Sequence, residues 1–555
     1  MKKLLLSLIL LLSSVASATL YFPITGIVPT GGGGGGDTYA TVSAAWAAEP
    51  YLSGTKHYYC DCGTGAEGDC VAGSDSNDGL STSAPKQTIA SAASLFSSLS
   101  ANDSVLLCKG GAFNVGTSLN IGSTGRCSAG TPCNDLREYS PTTFTGTAKP
   151  ILNWSSSGFL FDFEADGGVR ILNLSWKGTD TAGRYGVFIY DSAADVTIGG
   201  NDIDAFDMSI YDESNAGNND NIIMTGNHIT NTISLGFLGS SSNSHLSYNL
   251  WEDNGSSNDL DHTVYLGSAG EVQNFYLEGN EISGAYGGGT CAGAPVEGHF
   301  SVDGFYVRNN TITIADADWG AACFGMEFNN ETDATDPIYH RNTIISGNTI
   351  INGGNTALNV TGCSSCTIEN NVIVFTATPS DQIHYGIRIP IAAHKAGNGD
   401  DTNSGTVIRN NTIYYGTGYQ YSATGIYVGL EGTGYIISNN SVTFATSSGS
   451  YNCFSYDLTA SSYSAYTFID NNHCYSAATY NWEAGTSDSL TAWRAATTFD
   501  DNSITSAPVF VNAPTDFTPD TGSPLIGAGS NTYKSTTDFI GTARPNPPAI
   551  GAYEP

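Results

Sequence analysis

Asp261, Glu297, His299, Glu327, His384 and Arg388 are residues whose types can do chemistry together, in a chain only 13% charged. Carboxylates can hold a hard cation or act as a general acid and base. A histidine can take a proton near neutral pH, and an arginine can hold an anionic group. Lys395 lies just downstream, in an insertion with His394, Asp400 and Asp401. A single charged residue on a solvated strand is ordinary, so these residues matter only if the fold gathers them.

The element that must gather them is a repeat. An Asn turn between short β-branched runs recurs as GGNDI (199–203), TGNHI (225–229), EGNEI (278–282), RNNTI (308–312), SGNTI (346–350), ENNVI (369–373), RNNTI (409–413), SNNSV (438–442) and DNNHC (470–474), with SYNLW (247–251) a degenerate copy. Taking the last Asn of each, the spacing runs from 22 to 40 residues. A fixed core with variable spacing predicts a solenoid with loops inserted on its surface. Asn suits left-handed turn geometry, and stacked Asn side chains can bond along the axis.

Upstream of each turn lies a second short strand with period-2 alternation. Its predicted inward pairs are Val187/Ile189, Met208/Ile210, Leu235/Phe237, Val264/Leu266, Phe300/Val302, Met326/Phe328, Leu358/Val360, Ile387/Ile389, Ile426/Val428 and Phe454/Tyr456. Three outward columns follow. One stacks Asp261 on Glu297 and runs on to Cys323, Asn355 and His384. A second runs through Gly186, Thr263, His299, Gly325, Gly386 and Gly425. A third runs Phe188, Ser209, Gly236, Tyr265, Ser301, Glu327, Asn359, Arg388, Tyr427. Titratable groups concentrate on the middle coils, and insertions after Val302, Phe328 and Ile389 are placed to wall a groove. His262 falls on the inward parity, as a packed corner histidine.

The opening MKKLLLSLILLLSSVASA has the pattern of a secretory signal peptide cleaved after Ala18, too short to span a bilayer. Residues 19–37 read as a Gly-rich linker, 38–145 as an N-terminal cap region with disulfides, 146–480 as the solenoid and 481–555 as a C-terminal cap. Twelve cysteines in an exported chain point to disulfides rather than zinc, including the CxxC of Cys363 and Cys366 and a Cys291–Cys323 bridge beside the charged patch. A formal charge of −33 with 19 Lys and Arg argues against nucleic acid as a partner. An anionic polymer would need local neutralisation by a cation or by placed Arg and Lys.

The Asn-turn repeat resembles the right-handed parallel β-helix proteins of the pectate lyase-like superfamily. GSDSNDGLSTSAPKQTIASAASLFSSL (73–99) with DSVLLCKGGAF (103–113) is similar to their N-terminal cap, where a helix carrying Ile89, Ala93, Phe96 and Leu99 would plug the core. TPDTGSPLIGAG (518–529) and DFIGTARPNPPAIGAYEP (538–555) are similar to their C-terminal segment. The resemblance implies an all-β, right-handed parallel β-helix of ten or more coils, secreted or periplasmic, monomeric, acting on a polysaccharide.

Two chemistries fit the patch on that scaffold. In a lyase acting on a uronate, Asp261, Glu297 and Glu327 would hold Ca²⁺ against the sugar carboxylate. Arg388, His299, Glu327, His384 and Lys395 would supply base and neutraliser, and Tyr265, Tyr427 and Asn359 would bind the chain. In a glycoside hydrolase, two of the carboxylates would flank the bond. A non-catalytic carbohydrate binder with outward tyrosines (Tyr190, Tyr211, Tyr265, Tyr427) is the third reading.

Overall fold

A computed structural model describes residues 38–555 apart from 90–95, 97, 122–133, 165–166, 180, 191–192, 214–219, 256–260, 285–292, 315–322, 329–338, 377–383, 391–401, 420, 430–431, 446–449, 457–462, 476–478 and 483–485. Each Asn turn joins a strand of one sheet to a three- or four-residue strand of another, and each strand pairs in parallel with its counterpart one coil away. The result is a parallel β-helix. Thirteen short strands make one sheet, and a 28-stranded sheet wraps the remaining faces. Its faces join where Val264–Glu278 and Val296–Arg308 run around the corner as single strands. The expected insertion after Val302 is therefore absent, because that strand continues unbroken to Arg308.

The Asn turn divides its work between two positions. The residue before each ladder Asn is left-handed: Gly200, Gly226, Gly279 and Gly347, or Asn309, Asn370, Asn410, Asn439 and Asn471, with φ between 54° and 67°. Only glycine and, at modest cost, asparagine adopt that geometry readily. In the degenerate copy Tyr248 takes it, at φ 54°. The second position stacks. Asn201, Asn227, Asn249, Asn280, Asn310, Asn348, Asn371, Asn411, Asn440 and Asn472 are fully buried. Each of the first nine donates from Nδ2 to Oδ1 of the next at 2.9–3.2 Å. The other Nδ2 hydrogen goes to a carbonyl of the preceding coil, as from Asn348 to Val307. The backbone N–H of Asn310 donates to the same Oδ1 of Asn348.

Parallel pairing starts at Lys56–Tyr59 on Ser104–Cys108, well ahead of residue 146. Of the expected plug, Ala93 lies outside the described residues, but Ile89, Phe96 and Leu99 are buried in the main core. A helix that sequence patterning did not single out, Tyr39–Ala48, is capped by Thr38 and Thr41 and buries Val42 and Trp46 one turn apart. Trp46 and Val42 lie over Gly200 and Gly226, so the helix covers the ladder corner of the early coils. The C-terminal segment covers the same corner further along: Asn370, Asn410, Asn439 and Asn471 bond to Thr537, Ser535, Ser530 and Ala528. The far end closes with an antiparallel turn and the helix Leu490–Thr497, whose Trp493 stacks on Tyr456. There Asp500 accepts from Asn472 and Trp493 and ends the ladder.

Disulfides join Cys60–Cys108, Cys62–Cys70, Cys363–Cys366 and Cys453–Cys474. The CxxC is therefore a disulfide. Cys323 is also disulfide-bonded, and its expected partner Cys291 lies outside the described residues. No helix among the described residues is long and apolar enough to cross a membrane.

Two predictions follow from the core. Asn348→Ala removes the partners of the Val307 carbonyl and the Asn310 N–H, at roughly 1–3 kcal/mol per buried group left unpaired. Urea unfolding should show a loss of several kcal/mol, against under about 0.5 kcal/mol for exposed Thr311→Ala on a neighbouring coil. The second concerns pH. Burial pushes the imidazoles of His245, His340, His384 and His473 down to about 4. Between that value and the unfolded value of about 6.5 the unfolded chain binds more protons, so stability is full above the upper limit and is lost as pH falls. Asp500, pushed up to about 6 by burial, works in the opposite direction between about 4 and 6. His57 and His262, also lowered by burial, add to the four, and the raised carboxyls of Asp135, Glu138 and Glu278 add to Asp500. With six imidazoles against four carboxyls, the melting temperature should fall from pH 7.5 to pH 4.5; a flat or rising profile would refute the assignment.

Candidate functional site

The site stands on the outer face of the first large-sheet strand of each coil, one strand ahead of the one that runs into the ladder corner. Register partners give one outward column: Phe188, Tyr211, Leu238, Tyr265, Glu297, Glu327, Asn359, Arg388, Tyr427, Ser455. Tyr265, Glu327, Asn359, Arg388 and Tyr427 take the positions expected of them. Tyr211, Leu238 and Glu297 replace Ser209, Gly236 and Ser301.

These differences have one cause. Period 2 fixes which side a residue faces but not its offset along the strand. The inward partners of Val187 and Val264 are Ile210, Phe237 and Val296, not Met208, Leu235 and Phe300. Three coils are displaced by two or four residues, which preserves parity. Glu297 thereby leaves the Asp261 column and stands between Tyr265 and Glu327. Asp261 is buried upstream of the column and does not join it.

Of the second expected outward column His299 does face out, on the same side as Glu297, but the glycines do not. An ideal Cβ on Gly386 would sit 2.8 Å from Ile413 Cγ2, and one on Gly425 would sit 2.5 Å from Val442 Cγ1. The strands bend as they leave the corner, so two successive residues, such as Gly386 and Ile387, both face the core. The same bend turns His384 inward. It is 1% exposed, 2.6 Å from the Tyr419 hydroxyl through Nδ1, and stays neutral. His384 therefore lies in the core, away from the outer column in which it was expected. Tyr385, next to it, reaches the outer side and lies 5.3 Å from the Arg388 guanidinium. Strict alternation had hidden it.

Around Glu297 the side chains are tightly organised. His299 Nε2 is 2.6 Å from Oε1, and His262 Nδ1 is 3.5 Å from Oε2. His262 is packed in the corner as its parity implied, also 3.1 Å from the Ala294 carbonyl. Burial pushes its imidazole below the ordinary range, against the pull of Glu297. The Tyr265 ring stands 5.3 Å from His262 and 5.7 Å from His299. The imidazole of His299 is thereby oriented through Nε2 by Glu297, with Nδ1 on its buried side.

One strand further, Glu327 accepts from Asn359 Nδ2 at 3.0 Å. Asn359 is 3% exposed, and its Oδ1 is buried without a hydrogen-bond partner. Arg388 is next. Its Nε is buried without a partner, and no carboxylate pairs with it among the described residues. Asp261, Glu297 and Glu327 do not converge as a cation site. The only described His/Cys/Asp/Glu group with clustered ligand atoms is Cys60, Cys70 and Cys108, which disulfides occupy. Lys395, the insertion carrying it, and most of the insertion after Phe328 lie outside the described residues.

No protein-family model matches the chain, and no curated protein matches it in sequence. Among solved structures it is similar to the Dettilon tailspike protein, at 15% identity and TM-score 0.41, over 65% of each chain. It is similar to the pectate lyase Pel9A at 11% identity and TM-score 0.34, over 91% of this chain and 97% of that one. An alginate lyase from Paenibacillus sp. str. FPU-7 aligns at 13% identity and TM-score 0.30, over 60% of this chain and 92% of that one.

The two expected catalytic histidines should separate by stability. His384→Ala opens a cavity in the core and should cost roughly 2–5 kcal/mol in urea unfolding. His299→Ala, on the outer face, should cost under about 1 kcal/mol. Equal losses would contradict the assignment of one to the core and the other to the site.

Proposed function

We propose that the protein is a polysaccharide lyase that cleaves a uronate-containing chain by β-elimination along the Tyr265–Tyr427 column. The observation that carries this reading is the buried, unpartnered Oδ1 of Asn359, next in register to the carboxylates of Glu327 and Glu297. Leaving a buried acceptor unpaired costs about 1–3 kcal/mol. Two carboxylates and an amide carbonyl on successive strands are the hard-oxygen donor set that suits Ca²⁺. Glu297, Glu327 and Asn359 would hold the ion, with Asn359 in the place first given to Asp261 and its amide, which turns Nδ2 to Glu327, rotated to bring Oδ1 to the ion.

When bound, the cation supplies the positive charge that neutralises the substrate carboxylate and acidifies the adjacent C–H. The residues of the chain do the rest. His299 takes the proton α to the carboxylate, its imidazole held in place by Glu297. The electron pair left behind forms a C=C bond as the glycosidic C–O bond on the β carbon breaks, and the leaving oxygen takes a proton from water. Glu297 has lone pairs enough to orient His299 and still face the cation. Tyr265 and Tyr427 bracket the column and offer apolar surface to pyranose rings. A local cation also lets a chain of net charge −33 accept a polyanion.

Hydrolysis is the second reading, favoured by one observation: Glu297 and Glu327 are direct partners on adjacent strands, the close spacing of a retaining carboxylate pair.

A polysaccharide panel incubated with the protein, with and without chelator, tests both. The lyase reading expects absorbance from unsaturated uronate ends, lost with chelator and restored by Ca²⁺. Glu327→Gln and His299→Ala should each lower kcat by about 100-fold or more. New reducing ends without that absorbance would establish the hydrolase instead. No product on any uronate polymer, or full activity in Glu327→Gln, would overturn the site.

A further inference from the structure

The cation donors centre on Glu327, and Arg388 stands two strands beyond it, with Asn359 between. At the usual strand spacing that is roughly 10 Å along the axis, about the length of a disaccharide. Arg388 is therefore badly placed to share one sugar carboxylate with Glu297 and Glu327, and well placed to meet another.

Its surroundings fit such a ligand. Arg137, Arg170, Arg308, Arg409 and Arg544 each pair with a carboxylate, whereas Arg494 bonds to the carbonyls of Asp500 and Ser503 and Arg184 has no carboxylate pair among the described residues. Arg388 pairs with none among the described residues, in a chain holding 52 Asp and Glu. Its register neighbours, Asn359 and Tyr427, are neutral. The guanidinium is braced over the Tyr385 ring at 5.3 Å, and Tyr385 meets Tyr427 edge-on at 5.7 Å. A partly desolvated guanidinium with an unused buried N–H is built to take a planar anion through two parallel hydrogen bonds.

We infer that Arg388, Tyr385 and Tyr427 form a second subsite, distinct from the reacting centre, which binds the carboxylate of another uronate on the same polysaccharide chain. The enzyme then reads two acidic sugars a disaccharide apart, and its substrates are polyuronates or regular uronate copolymers rather than chains with isolated uronates. The inference rests on the uronate reading given above.

The test is a length series of oligouronides, cleaved by the wild-type protein and by Arg388→Gln of matched melting temperature. On oligomers long enough to reach the subsite, Arg388→Gln should raise KM roughly 10- to 100-fold with kcat within about twofold. On the shortest cleaved oligomer the two proteins should be equal. An equal fall in kcat at every length would put Arg388 in the reacting centre and overturn the inference, as would no change at any length. Affinity electrophoresis in polyuronate gels separates this from the activity. Retardation of wild type but not of Arg388→Gln supports the subsite even if elimination is never seen. Equal retardation of both refutes it even if elimination is confirmed.

Discussion

The asparagine ladder is the interaction on which the rest of the structure depends. Each buried Asn fills its hydrogen-bonding capacity with the coil before and the coil after. A parallel sheet alone would leave the corner carbonyls and N–H groups unpaired and buried. The ladder satisfies them, and it locks every coil at the same angular position around the axis. Loops of widely different length can then leave and rejoin the helix without disturbing what stands above or below them. The terminal segments use the same corner as their docking rail, the helix Tyr39–Ala48 at one end and residues 528–537 at the other.

Because the ladder holds the coils in register, single residues at equivalent positions become neighbours although 29 to 32 residues separate them in sequence. Glu297, Glu327, Asn359 and Arg388 are such a set. Each comes from a different coil, and none is locally remarkable. Together they place two carboxylates, a buried amide oxygen and an unpaired guanidinium on four successive strands of an outward face. The polar functions left without partners there, Asn359 Oδ1 and Arg388 Nε, contrast with the ladder on the far side of the coil, where every donor and acceptor is used. Unmet hydrogen-bonding capacity occurs at other buried positions as well, but on this face it stands beside two carboxylates in register.

Much of this was legible in the sequence. The Asn turns announced the solenoid, and the alternation of small strands gave the inward face, since a two-residue offset leaves parity unchanged. Tyr265, Glu327, Asn359, Arg388 and Tyr427 could be aligned from their strands alone. Glu297 could not, because its strand carries apolar residues at both Val296 and Phe300, and either pairs plausibly with Val264. His384 and Tyr385 were misassigned for a different reason: the strand bends at the corner, and alternation has no term for a bend. The N-terminal helix was hidden by its composition, Ala, Ser and Thr around two buried anchors, which carries little periodic contrast. The unpaired Asn359 oxygen is a property of packing in three dimensions and has no sequence signal.

The central claim is that a uronate chain lies along the outer column with one carboxylate at Glu327 and Asn359. A crystal structure of His299→Ala soaked with a tetrauronide and Ca²⁺ tests it most directly. The expected result is sugar density running parallel to the helix axis, an ion bound by Glu297, Glu327 and Asn359 Oδ1, and a substrate carboxylate on that ion. An oligosaccharide bound on another face, or one that crosses this column with its carboxylates directed away from Glu327 and Asn359, would contradict it.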